Sequence, residues 1–289
     1  MAEPAIQIKK KSQAKEITGR FLKDKAAVAS LIFVALLLVC TLFPEQIAPY
    51  AYDKQNYSET FLSPCLAHPF GTDNYGRDIL SRVIYGTRIS IGIGLLAVAL
   101  SCIVGILVGA AAGFYGAVAD NLFMRLIDIM LAIPSILLMM AIVTALGNGA
   151  VNLTIAIAIS SIPGYARIVR ASVLTEKERE YVEAARSVGT SSFKIITRHI
   201  LPNCMAPIIV QATMSIATAI LSIASLSFVG LGISPPTPEW GSMLNDAQSF
   251  MRDHWFVVTF PGLMIMLTVF AFNLLGDGLR DALDPKLKT

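Results

Sequence analysis

The sequence predicts an all-α, polytopic membrane protein with six transmembrane helices, and three observations predict it. Of 289 residues, 55% are hydrophobic and only 15% charged, where a soluble domain carries about 25% charge. The apolar residues gather into long uncharged runs of the length a bilayer crossing requires. The lysines and arginines, finally, fall between those runs unevenly, which assigns a side of the membrane to each connection.

Taken in order, residues 1–25 form a basic tail, and residues 26–48 form the first transmembrane helix. Positions 26–44 carry no charge, and each Leu, Ile, Val or Phe among them favours insertion by roughly 0.3 to 0.6 kcal/mol. Lys9, Lys10 and Lys11 resemble the n-region of a cleaved signal, but the run is longer than an h-region and no A-x-A site follows it. Residues 49–88 form an outer loop. Within it Arg77, Asp78 and Arg82 alternate with Ile79, Leu80, Val83 and Ile84, as in an amphipathic helix lying on the outer membrane surface.

Residues 89–279 hold the other five spans. Positions 89–119 make the second. The uncharged stretch 129–166 is too long for one crossing at about 1.5 Å per residue. Gly147, Asn148 and Gly149 divide it into a hairpin of spans three and four. Positions 206–230 and 255–276 supply spans five and six. Pro134, Pro163 and Pro261 fall inside spans and predict kinks. Arg125 and Asp128, three apart, are expected to pair on one helix face.

Orientation follows from the cations. With the amino terminus in the cytoplasm, only Lys54, Arg77, Arg82, Arg88 and Arg252 of the 23 lysines and arginines lie outside. Both termini are therefore expected to be cytoplasmic, the second in a tail over 280–289. Asp277, Arg280, Asp281 and Asp284 are expected to cap the last helix.

Several function classes are excluded. The Gly-Lys pair of a phosphate-binding loop never occurs. His68, His199 and His254 are remote in sequence, and Cys65 with His68 forms a C-x-x-H lacking further ligands, so no metal site and no catalytic residues are expected. The basic residues form no stripe interleaved with aromatics, which argues against nucleic acid. A secondary transporter driven by an ion gradient, the alternative reading, would carry inverted repeats and a midplane acid, and neither is visible.

The informative stretch is the loop 170–203 between spans four and five. Thr175 and Glu178 form a capping box, after which Tyr181, Ala184, Ala185 and Val188 share a helix face and Gly189 ends the helix in a left-handed turn. A second short helix is expected to group Phe193, Ile196 and Ile200, with Leu201-Pro202 closing it. Such a pair of helices suits either docking to a partner or rest on lipid headgroups.

Glu183-Ala184-Ala185, Gly189 and Leu201-Pro202 resemble the EAA loop of permease subunits of ABC importers. His68-Pro69-Phe70-Gly71-Thr72-Asp73, Gly76-Arg77-Asp78, the run from Pro235 to Gly241, and Asn273-Leu274-Leu275-Gly276-Asp277-Gly278-Leu279-Arg280-Asp281 narrow the likeness. They resemble the C-type permease of the dipeptide, oligopeptide and nickel importer family. The resemblance implies a type I ABC importer permease fold in the inner membrane. It also implies a second permease subunit, two cytoplasmic ATPases that bind the ATP, and an extracytoplasmic substrate-binding protein. Tyr181, Glu183, Ala184, Ala185, Gly189, Leu201 and Pro202 would then couple this chain to an ATPase, and the chain would need no cofactor of its own. The cargo would be a dipeptide or oligopeptide, or a nickel chelate, glutathione or opine.

Two stripes of small residues complete the reading. Gly105, Gly109 and Gly113 recur at four-residue spacing and predict close helix packing within the subunit. Ala212, Ser215, Ala219 and Ser222 form a weakly polar stripe on span five, which either lines the translocation path or seats a neighbouring helix. Trp240, in the proline-rich loop 234–241, is expected to anchor at the membrane interface.

Overall fold

A computed structural model describes residues 13–283; the lysines at 9–11 and Asp284 lie outside the described residues. The helices are α1 (Gln13–Phe21), α2 (Lys25–Leu42), α3 (Pro44–Ile47), α4 (Ile79–Tyr115), α5 (Ala117–Ala132), α6 (Ser135–Leu146), α7 (Ala150–Glu176), α8 (Glu180–Ser187), α9 (Ser192–Lys194), α10 (Met205–Phe228), α11 (Trp240–Ala247) and α12 (Phe256–Leu283). Among the described residues five helical stretches are long and apolar enough to cross a membrane, or six if the bent pair α5–α6 is one span.

The first span begins where Asp24 accepts from the Ala26 and Ala27 amides, satisfying helix donors that have no internal partner. It breaks at Pro44, so the predicted 26–48 helix is α2 followed by the single turn α3. The second span differs more. Its helix starts at Ile79, not 89, and at 37 residues it is about 55 Å long, against roughly 30 Å of hydrocarbon.

The predicted amphipathic surface helix at 77–84 is thus the first part of α4, and its charges are buried. Burial is possible because each charge has a partner. Arg77 Nε donates to Asp73 Oδ2 at 2.6 Å, and Asp78 caps the helix through the Ser81 amide at 2.7 Å. Arg82 donates to the carbonyls of Tyr52 and Pro236. Alternation of charge and apolar groups is blind to such partners, most of which lie in loops before and after the helix. Trp240 is likewise no interface anchor. It is 0% exposed, and Glu239, which caps α11 through the Gly241 and Ser242 amides, is buried beside it.

Pro134 does more than kink the third span: α5 and α6 meet at 91°. Proline lacks the N–H that would continue the ladder, and the 12 residues of α6 reach only about 18 Å. The α6–α7 hairpin turns at Gly147 and Gly149, both at positive φ. Pro163 and Pro261 stay inside continuous helices.

The core is built on close backbone approach. A Cβ on Gly105 would lie 2.3 Å from the Cβ of Tyr165, and one on Gly109 2.5 Å from the Ala166 carbonyl oxygen. The three glycines therefore seat α4 directly on α7 within this subunit, as their spacing predicts. On the other side α12 packs on α10 through Gly276 against Met214, and on α2 through Gly278 against Ala27. Helix α12 extends to Leu283, so Asp277, Arg280 and Asp281 lie within its final turns instead of capping it from beyond.

Candidate functional site: the α8 handle

Helix α8 follows α7 after a break at residues 177–179 and packs against its end. Helix α7 runs through Thr175, whose hydroxyl donates to its own helix at the Ala171 carbonyl, so Thr175 and Glu178 form no capping box. Arg179 occupies the cap position of α8, with Glu180 and Glu183 in its first turn and Arg186 in its last, signs that suit the helix dipole. The helix ends as predicted. Gly189 has φ +77°, its amide bonds to the Arg186 carbonyl at 2.9 Å, and the Thr190 amide bonds to that of Ala185 at 3.1 Å, the Schellman pair of bonds.

Of the face that helical spacing groups for docking, only Ala185 is buried within this chain, together with Val182. Val182 and Ala185 pack with Val169 and Val173 of α7 and with Ile195, Ile196 and Ile200, while Tyr181, Glu183, Ala184 and Val188 are exposed. Val182 was missed because it interrupts a run of small and aromatic residues that also satisfies helical spacing. Two faces of a short helix compete on periodicity, and only the position of α7 chooses between them. Phe193 is exposed, while Ile195 is buried with Ile196 and Ile200.

Leu201-Pro202 does not close the second helix. Positions Ile195–Ile200 wind as a π-helix and Leu201–Cys204 as a 3-10 turn, and the chain enters α10 without a break. Proline is tolerated there because it stands in the first turn of the tightened segment.

Several polar contacts fasten this unit to the spans. Tyr181 donates its hydroxyl to Glu176 Oε2 at 2.6 Å and accepts from Asn203 Nδ2 at 3.1 Å. Burial, and then the Glu176 bond, raise its phenol above the ordinary value. Lys177 Nζ donates to the Gly113 carbonyl at 2.9 Å, and the Arg186 guanidinium lies 5.5 Å over the Phe114 ring, binding α8 to the end of α4. Nearby, Arg170 holds Asp120 through two bonds. Asp128 pairs with Arg167 at 2.6 Å and not, as predicted, with Arg125. These partners are distant in sequence, so local spacing carried no sign of them. Glu183 has no ion-pair partner among the described residues.

On α10, Ser215 and Ala219 are buried in this chain's own core, Ser215 accepting from Gln211 Nε2 at 3.1 Å. Ala212 and Ser222 are half-buried. Cys65 is exposed and His68 buried, and no group of three metal-capable side chains occurs among the described residues.

A family model described as the binding-protein-dependent transport system inner membrane component matches residues 105–289. The chain belongs to that family. A second model, the N-terminal TM domain of oligopeptide transport permease C, matches residues 12–64. The di/tripeptide transport system permease protein DppC of Pseudomonas aeruginosa is 50% identical over 96% of this chain and 93% of its own. The glutathione transport system permease protein GsiD of Escherichia coli is 49% identical over 94% of this chain and 90% of its own. In fold, the chain resembles the inward-facing MetNI methionine ABC transporter, with a TM-score of 0.59 at 17% identity over 71% of this chain and 98% of that one. This chain is thus an all-helical, multi-pass permease subunit of an ABC importer with the type I fold, and not an enzyme.

Proposed function

We propose that this permease forms one half of an ATP-driven conduit for short peptides, paired with a second permease subunit in the inner membrane. Two cytoplasmic ATPases bind the ATP, an extracytoplasmic binding protein delivers the cargo, and both termini lie in the cytoplasm. The observation that carries this reading is the construction of α8. Val182 and Ala185 anchor it to α7, and Lys177 and Arg186 tie it to α4. Tyr181, Glu183 and Ala184 meanwhile face outward.

A helix held on one side and presented on the other transmits a push as a unit. In this role Glu183 meets a cation of the ATPase, Ala184 permits close approach, and Ala185 seats the handle on α7. Gly189 sets the exit angle, while Leu201 and Pro202 carry the motion into α10. Of the weakly polar stripe on α10, Ala212 and Ser222, which are half-buried, line the path in this reading, while Ser215 and Ala219 seat the helix in the core. Peptide cargo is supported by the names of relatives that cover nearly the whole chain, and glutathione, itself a small peptide, is the nearest variant.

The test is uptake by the purified assembly in proteoliposomes, offering dipeptides, glutathione and a nickel chelate to wild type, Glu183→Ala and Gly189→Pro. Both variants are expected to assemble and to lose ATP-dependent uptake. Undiminished uptake in both removes the coupling role.

A further inference from the structure

At the start of α4, whose far end meets α8 through Phe114 and Arg186, the loop between α3 and α4 encloses a cleft of about 290 Å³. It is lined by Tyr50, Lys54, Asn56, Glu59, His68 and Asp78, among others. That size is at the small end of pockets that hold small molecules, roughly 300 to 1,000 Å³. The walls are fixed from behind. The Tyr50 amide donates to Ser81 Oγ at 3.0 Å, the Asn56 amide to the Tyr75 carbonyl at 3.3 Å, and the Thr72 hydroxyl to the Glu59 carbonyl. His68, 8% exposed, lies 2.9 Å from Asp78 through Nδ1 and forms the floor. A cleft built this way exists before a ligand arrives, so little ordering opposes binding.

Its lining carries both signs of charge, and they do not neutralise each other. Lys54 and Glu59 share the cleft, yet the Lys54 ammonium makes no ion pair among the described residues and stands 5.2 Å from the Tyr50 ring centre. Asn56 spends its Oδ1 on the Ser58 amide and hydroxyl, which leaves its Nδ2 group as the donor it offers the cleft. The acidic side comprises Glu59 and Asp78 with His68 between them, 3.7 Å from Glu59 and 2.9 Å from Asp78. Two carboxylates outweigh one imidazole, so this side is negative whichever charge His68 carries. Asp78 Oδ2 already accepts from the Ser81 amide and hydroxyl. Glu59, with 43% of its side chain exposed, is the carboxylate that retains room for a ligand.

We propose that this cleft binds a small zwitterion, the free ends of a dipeptide, with Lys54 and Asn56 taking the carboxylate and Glu59 the ammonium; the choice of a peptide rests on the cargo reading above. An anion alone is met by Lys54 but repelled by Glu59, and a cation alone is met by Glu59 but repelled by Lys54. A ligand with both charges gives each side a charge-assisted hydrogen bond. The cleft therefore distinguishes a peptide with free termini from one blocked at either end.

The test is saturation-transfer NMR titration of the purified assembly of permease subunits and ATPases, without binding protein or nucleotide. The probes are dialanine, N-acetyl-dialanine, which lacks the ammonium, and dialanine amide, which lacks the carboxylate. Wild type is expected to bind dialanine most tightly. Lys54→Ala is expected to weaken dialanine and N-acetyl-dialanine by about fivefold or more, the scale of one charge-assisted bond at a part-exposed site, and to leave the amide unchanged. Glu59→Gln is expected to weaken dialanine and the amide to a similar degree and to leave N-acetyl-dialanine unchanged. Lys54→Arg, which keeps the charge, is expected to retain binding. Both residues present exposed side chains, so neither change threatens the fold. No binding of dialanine by wild type, affinities unmoved by both variants, or an equal loss for all three probes overturns the site. Binding is read without ATP or uptake, so failure here is separable from failure of the coupling role of Glu183.

Discussion

The indole Nε1 of Trp240 donates to the main-chain carbonyl of Val83 at 3.0 Å, joining the proline-rich loop before α11 to the first turns of α4. Around this bond the Trp240 ring lies against Gly86, where a Cβ would come within 3.0 Å of the ring. Ser90 Oγ meanwhile donates to Glu239 Oε1 at 3.1 Å. This end of the molecule is therefore a packed cap, held by one large aromatic plug.

Trp240→Ala is expected to cost about 3 to 5 kcal/mol, the range for emptying a buried aromatic site. Trp240→Phe, which retains most of the volume and loses the hydrogen bond, is expected to cost about 1 kcal/mol from that bond. Thermal unfolding in detergent, followed by limited proteolysis of the loops before α4 and α11, separates the two. Equal stability of Trp240→Ala and wild type contradicts the plug.

The α4–α7 contact yields a paired comparison. Gly109→Ala places a methyl 2.5 Å from the Ala166 carbonyl oxygen and 2.8 Å from Val169 Cβ. It is expected to destabilise by about 1 to 3 kcal/mol or more, as overpacking does. Gly92→Ala, on the same helix with nothing within 4 Å, is expected to be neutral or to gain up to about 1 kcal/mol of helix propensity. Unfolding of both variants in a denaturing-detergent titration measures the difference.

Asp246 of α11 supplies a pH signature. Burial pushes its carboxyl above the ordinary 3.8, with Arg82 and then Arg77 opposing the rise. A carboxyl that holds its proton more tightly folded than unfolded contributes stability that is complete below the unfolded value. That contribution is lost as pH climbs through the raised folded value. Stability is therefore expected to decline over that window in wild type, and Asp246→Asn is expected to flatten the decline. Unfolding midpoints across the acid range decide it; parallel curves refute the assignment.

Parts of this architecture were plain in the residues alone. Uncharged runs locate the spans because hydrocarbon admits nothing else, and the glycines at 105, 109 and 113 announce a close contact because only a missing side chain permits one. Gly189 was legible for a similarly local reason, since a left-handed turn excludes most other residues. Val182, by contrast, and the pairs Arg170–Asp120 and Asp128–Arg167 were not legible. Each depends on which element arrives from 39 or more positions away, or, for Val182, on which of two equivalent helix faces meets α7.

The amino-acid sequence by itself determined a multi-pass helical permease, the order of its spans and the presence of a short helix ending at Gly189. Transfer free energy, glycine sterics and backbone conformation all act over a few residues. Only the tertiary structure decided that Arg77, Asp78, Arg82 and Trp240 are interior, that α8 shows Glu183 outward, and that His68 faces Glu59 across a cleft. Whether a charge or an aromatic ring can be buried depends on partners folded against it, and for Arg82 and Trp240 those partners lie 30 to 157 positions away in the chain.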